Sequence, residues 1–107
     1  MYNYKAKITK VYDGDTVTAV VDLGFSISFK IKLRLLGIDT PELRGEERKE
    51  GLKVRDIVRN LILNKEVEIF TKKDKTGKYG RYLATIIIGD LNLNEWLLEN
   101  NYAKPYK

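Results

Sequence analysis

From Phe25 to Leu35, apolar and polar residues alternate without a break. Phe25, Ile27, Phe29, Ile31, Leu33 and Leu35 are set against Ser26, Ser28, Lys30, Lys32 and Arg34. Period-two alternation of this length predicts an amphipathic β-strand over residues 25–36, with one face in a core and the other toward water. Arg34 then lies opposite the apolar row. Upstream, residues 2–12 are rich in Tyr, Ile and Val, and residues 16–23 are β-branched. Both read as strands, joined by the tight-turn pair Asp13-Gly14. Gly24 permits the next turn.

A polar loop over 43–49 precedes a change of period. Val54, Ile57, Val58 and Leu61 fall at i, i+3, i+4 and i+7, with Lys53, Arg55, Asp56 and Arg59 outside that stripe. This predicts a helix over 49–63, its apolar stripe in the core. Strands follow at 66–71 and 81–88, the second ended by Gly89-Asp90. Asn92 with Glu95 three residues on has the form of a helix N-cap, opening a helix through Glu99. Trp96, Leu97 and Tyr102 are expected to pack that helix onto the strands. Five strands with a helix between the third and fourth fit a mainly β (α+β) fold, a five-stranded Greek-key barrel of the OB type with two or three helices. With no long linker or repeat in 107 residues, residues 1–107 read as one domain.

Composition narrows the chemistry. The chain has no cysteine and no histidine. Disulfides and thiolate metal sites are excluded, and the usual general base and the commonest zinc ligand are missing. Acid–base or metal chemistry must use carboxylates, Lys, Tyr and Arg. No apolar run approaches a membrane span, and the start lacks an apolar signal core, so no membrane partner is expected and the compartment stays open. The net charge is +5, and residues 71–82 hold Lys72, Lys73, Lys75, Lys78 and Arg81 against Asp74 alone. Such a run is a solvated hairpin loop or a phosphate-binding arm; the interleaved Tyr79 and Tyr82 favour nucleic acid.

Chemistry-bearing residues gather where the long strand ends. Arg34 is followed by Asp39, Thr40, Pro41 and Glu42, and carboxylates three apart on a turn can face one hard cation or a polarised water. Asp13 is expected to shape its turn, whereas Asp15 has no evident structural need to be acidic. Asp15 with Asp39 can offer anionic oxygens to a metal, and an oxygen-only site suits calcium better than zinc.

Taken together, Asp13-Gly14-Asp15-Thr16, then Arg34-Leu35-Leu36-Gly37-Ile38-Asp39-Thr40-Pro41-Glu42, then Lys78-Tyr79-Gly80-Arg81-Tyr82-Leu83-Ala84 closely resemble the staphylococcal nuclease (thermonuclease) family in order and spacing. Asn94-Glu95 through Tyr102-Ala103-Lys104 resembles that family's final helix and tail, so the likeness spans nearly the whole chain. The resemblance implies a calcium-dependent phosphodiesterase that breaks the bond to the 5′ oxygen and leaves 3′-phosphate ends. By position it implies Asp15 and Asp39 as calcium ligands with the Thr40 carbonyl, and Glu42 as general base or water-positioning group. Arg34 and Arg81 would hold the scissile phosphate. Lys78 and Tyr79 would contact a neighbouring phosphate, beside Lys72 and Lys73 of the basic arm. The expected partners are single-stranded DNA and RNA and locally open duplex DNA, handled by a monomer. Lys53 stands where the family commonly has an acid, and Gly77 where an Asp is frequent. The competing expectation is a nuclease-like domain, catalytically weak or inactive, that binds nucleic acid or protein. The complete acidic and arginine set favours the enzyme.

Overall fold

In the computed structural model of the chain, residues 2–73 and 82–106 are described. The arm residues Lys75, Lys78, Tyr79 and Arg81 lie outside the described residues. The alternating segments form the expected strands: β1 (Tyr2–Asp13), β2 (Thr16–Asp22), β3 (Ser28–Leu35), β5 (Glu66–Lys73) and β6 (Tyr82–Ile88). They follow one another in the order β3-β2-β1-β5-β6, every neighbour antiparallel. A parallel pairing of Leu33, Arg34 and Leu35 with Tyr82, Leu83 and Ala84 then closes the sheet into a barrel. The expected five-stranded OB-type barrel is therefore present. Inward side chains such as Ile8, Val17, Leu33, Leu35, Ile69 and Ile86 are fully buried. Alternating residues on every strand supply this core, as barrel closure requires.

Helix α1 (Arg48–Ile62) crosses from β3 to β5, preceded by a 3-10 turn at Gly45–Glu47. Its buried residues are Gly51, Val54, Val58 and Ile62. The stripe is turned slightly from the expected one, leaving Ile57 and Leu61 half-buried. Helix α2 (Leu93–Glu99) is capped as expected, the Glu95 N–H donating to the Asn92 side chain over 3.1 Å. Leu97 is buried, and Trp96 and Tyr102 pack with ring centroids 5.6 Å apart. Three two-residue strands have no signal in the alternation: β4 (Ile38–Asp39), β7 (Leu91–Asn92) and β8 (Lys104–Pro105). β4 and β8 pair antiparallel as a ribbon beside the barrel.

One boundary differs from the expectation. The alternation begins at Phe25, but β3 begins at Ser28. Leu23 N–H donates to the Ile27 carbonyl and Ile27 N–H to the Gly24 carbonyl, both over 2.9 Å. Gly24, Phe25 and Ser26 all take positive φ, at 81°, 54° and 61°. The closed turn between β2 and β3 overrides the period-two pattern and turns Phe25 out to 98% exposure.

Candidate active site

The site is built on Arg34. Its β3 position places it opposite the buried Leu33 and Leu35, on the outer face of the barrel, paired with Thr16 on one side and Leu83 on the other. It is not a solvated cation, for only 12% of its side chain is exposed. Its Nη2 lies 3.4 Å from Asp15 Oδ2 and 3.3 Å from Asp39 Oδ1, while Nη1 donates to the Ile38 carbonyl at 3.5 Å. These distances are longer than in a two-pronged carboxylate pair. One guanidinium is thus shared between two carboxylates. The Tyr106 ring covers it, 4.4 Å from the guanidinium carbon to the ring centroid.

Asp15 is 6% exposed. Besides Arg34, its Oδ2 accepts the Thr40 N–H at 3.1 Å, and its Oδ1 accepts the Thr16 hydroxyl at 3.3 Å. The expectation that Asp15 has no structural need to be acidic is therefore corrected. A carboxylate here pins the β1–β2 turn to the segment after β4 and balances a half-buried arginine. Asp39 differs, with 53% of its side chain exposed.

Close backbone approaches hold these pieces together. A Cβ on Gly14 would stand 2.7 Å from Val54 Cγ1 and 2.8 Å from Thr40 Cγ2, so only glycine lets the turn pack on both. A Cβ on Gly51 would collide with the Glu42 carbonyl, so α1 passes directly under the acidic loop. Asp13 shapes its turn as expected, Oδ1 accepting the Asp15 N–H at 3.1 Å. Burial, with the Asp15 carboxylate beside it, pushes the Asp13 carboxyl up to about 6. On the far side, β8 sets Lys104 against Asp39, and the Tyr106 N–H donates to the Gly37 carbonyl over 3.0 Å.

Asp15, Arg34, Asp39 and Thr40 thus come together. Glu42 does not join them. Its side chain is 61% exposed and its carboxylate accepts from Arg44 Nε at 3.4 Å. Among the described residues no three acidic side chains converge as a metal site. Thr40 Oγ1 is buried with no hydrogen-bond partner among them. Lys72 and Lys73 are exposed at the end of β5, beside Leu83 and Tyr82 of β6. Lys53 sits 5.9 Å from the Tyr102 ring centroid, on the tail side of the site.

Sequence reasoning missed two contributors. Tyr106 is one. Asn94 is the other: its Nδ2 donates to the carbonyls of Leu36 and Ala84 over 3.0 Å each, and its Oδ1 accepts the Ile86 N–H. It ties α2 to the strand ends under Arg34. Only an asparagine on a helix flank facing the barrel could have hinted at it.

A profile of the staphylococcal nuclease homologue family matches residues 32–107. The chain belongs to that family. An uncharacterised protein of Methanocaldococcus jannaschii is 33% identical over 129 residues, covering 97% of this chain and 60% of the relative. The thermonuclease of Staphylococcus hyicus is 29% identical over 101 residues, covering 92% and 57%. A probable staphylococcal-like nuclease of rice, Oryza sativa, is 33% identical over 78 residues, covering 73% and 20%. The chain spans 60% or less of the length of each of these relatives. It is a nuclease-like domain on an OB-type barrel.

Proposed function

We propose that this domain is a calcium-dependent nuclease that hydrolyses phosphodiester bonds in single-stranded DNA and RNA and in locally open duplex DNA, acting as a monomer. The observation that carries the reading is the half-buried Arg34 shared between Asp15 and Asp39. The guanidinium is a planar fork that can be offered to a phosphate, and the two carboxylates that hold it are the oxygens that would hold a hard cation.

The donor set fits a hard cation: Asp15 and Asp39 carboxylate oxygens and the Thr40 carbonyl, all oxygen. Only two carboxylates contribute, so water and substrate phosphate would fill the remaining positions, and calcium would bind free protein weakly, at about 10⁻⁴–10⁻³ M. When bound, the ion supplies positive charge against the phosphate oxygens. Arg34 and Arg81 then offer planar forks to the equatorial oxygens as negative charge grows. Lysine would supply charge without the fork. Glu42 orients a water and takes its proton as the oxygen attacks phosphorus. The bond to the 5′ oxygen breaks and that oxygen takes a proton from solvent water, leaving a 3′-phosphate and a 5′-hydroxyl. Lys72, Lys73, Lys78 and Tyr79 hold neighbouring phosphates.

Glu42→Gln keeps shape but cannot take the proton, and Arg81→Lys keeps charge but loses the fork. Each is expected to fold, to bind single-stranded DNA within about tenfold, and to lose at least about 10²-fold in single-turnover cleavage. Calorimetry gives a readout apart from activity: calcium affinity should fall in Asp39→Asn and tighten with nucleotide present. The separation of Glu42 from the Asp15–Asp39 pair favours a second reading, a binding module. That reading wins if the parent binds DNA in calcium without cleaving it.

A further inference from the structure

β3 is paired with β6 only from Leu33 onward. Before that point its outer edge has no strand partner among the described residues, and these residues leave the barrel open along a seam. The inward rows of five strands end there. Tyr2 and Tyr4 of β1, Leu23 after β2, Phe29 of β3 and Tyr82 of β6 surround a hollow of about 230 Å³ with Thr71 at its base. Tyr2 is 71% exposed, Phe29 55% and Leu23 45%, with Ile27 and Phe25 continuing the patch beyond them. The Tyr2 and Tyr4 rings lie 6.5 Å apart and are tilted by 32°. A soluble domain seldom exposes so many large apolar side chains in one place unless something binds there.

The charge around the hollow selects the occupant. Lys30 and Lys32 alternate with Phe29 and Ile31 along β3 and so lie on its outer face. Lys72 and Lys73 follow Thr71 on β5 and pair with Leu83 and Tyr82, and all four lysines are exposed. No described acid lines the hollow; Asp22, at the end of β2, accepts the Gly24 N–H through its Oδ1. Exposed cations on the same strands that carry the aromatic rings match a polyanion that carries flat apolar groups. A second copy of the chain is disfavoured, because Lys30 and Lys32 on the bare edge would face their own like charges. The seam also starts one residue from the candidate site: Leu33 pairs with Tyr82, and Arg34 with Leu83.

We propose that this open seam is a nucleobase-binding groove, in which Phe29, Tyr2 and Tyr82 stack bases of a single strand whose backbone runs along the flanking lysines. The proposal rests on the nucleic-acid reading above and adds the place where bases, rather than phosphates, are held. Stacking of this kind tolerates any base, so the groove gives affinity without sequence preference.

The test is binding of an oligothymidylate and of an abasic strand of the same length, in chelator, so that cleavage plays no part. The parent should bind oligothymidylate more tightly than the abasic strand. Phe29→Ala with Tyr2→Ala should weaken oligothymidylate binding at least about fivefold, since one stacked base contributes roughly 1–3 kcal/mol. Binding of the abasic strand should not change. Phe29→Trp should retain affinity. Both aromatic positions are exposed, so a melting curve matching the parent is expected, and Phe29→Ala alone serves if the pair lowers it. Equal loss for both strands, or no loss for either, overturns the groove. So does sedimentation showing a parent dimer that the double variant dissociates, which would make the seam an interface between copies. A parent that binds this way yet never cleaves in calcium would leave the groove standing and remove the nuclease reading.

Discussion

The two ends of β3 share one sequence pattern and have opposite fates. At the Leu33–Leu35 end, β6 closes the barrel, the apolar residues are sealed, and the intervening Arg34 is locked among Asp15, Asp39 and Tyr106. At the Phe29 end no strand among the described residues closes the outer edge, and the same kind of apolar residue is left more than half exposed. Alternation says which residues share a face. Whether that face becomes core depends on the partner strand, which comes from residues about fifty positions away. A closed end can hold a charge in a fixed place. An open end can receive something flat.

The largest expected effect tests the closed end. Arg34→Met should destabilise the fold by about 3 kcal/mol, because it leaves the buried Asp15 carboxylate without its cation. Phe29→Ala at the open end should change stability by less than about 1 kcal/mol, since much of that ring is already in water. Urea unfolding of both variants measures the contrast. Similar losses would mean that the two ends are equally closed.

Much of this fold was legible in the sequence. The five long strands, both helices and the Asn92 cap follow from period and turn chemistry, which are local. The turn over Gly24, Phe25 and Ser26 was misread because the apolar period runs straight through it, and left-handed φ at Phe25 and Ser26 leaves no compositional mark. At the site, the motifs that carry Arg34, Asp15, Asp39 and Thr40 lie up to 25 residues apart in sequence, and the fold brings these four into contact. The structural duty of Asp15 was not visible, because its partner N–H belongs to Thr40, 25 residues away. Tyr106 and Asn94 act through tertiary contacts that no spacing announces.

A smaller effect should appear on the turn that feeds the closed end. The Asp13 carboxyl titrates near 6 in the folded protein against an ordinary value of 3.8. Its folded pKa is raised, so the folded state keeps a proton that the unfolded state has already released. Stability from this group is therefore lost as pH rises from about 4 to about 6, and the penalty is constant above that. Asp13→Asn keeps the acceptor for the Asp15 N–H without the charge. In calcium-free buffer it should stabilise the protein at pH 7–8 by on the order of 1 kcal/mol, allowing for screening by water. The gain should shrink toward zero near pH 4. Thermal melts of parent and variant across that range decide it; a variant less stable than the parent at pH 8 would mean that Asp13 serves the fold as an anion.

The smallest effect separates π-stacking from packing at Arg34. Tyr106 is 58% exposed, yet its ring centroid lies 4.4 Å from the carbon of a guanidinium that is mostly buried. An exposed tyrosine held in this way by the β4–β8 ribbon has little to gain from burial, so the attraction between cation and ring face is the interaction to test. Such contacts contribute about 0.5–1 kcal/mol at exposed sites and about 2 when desolvated. Tyr106→Phe keeps the ring face and should match the parent in stability and in single-turnover cleavage. Tyr106→Leu keeps apolar bulk without the π-system and should lose about 0.5–1 kcal/mol. It should also lose a few-fold in cleavage at saturating substrate, because Arg34 would then hold its plane less well. Hydrogen exchange at the Tyr106 amide, bonded to the Gly37 carbonyl, shows whether the ribbon stays docked. If Tyr106→Leu and Tyr106→Phe behave alike with the ribbon docked, the ring is packing only. If both lose cleavage while exchange at Tyr106 rises, the tail acts by closing the ribbon and not through the arginine.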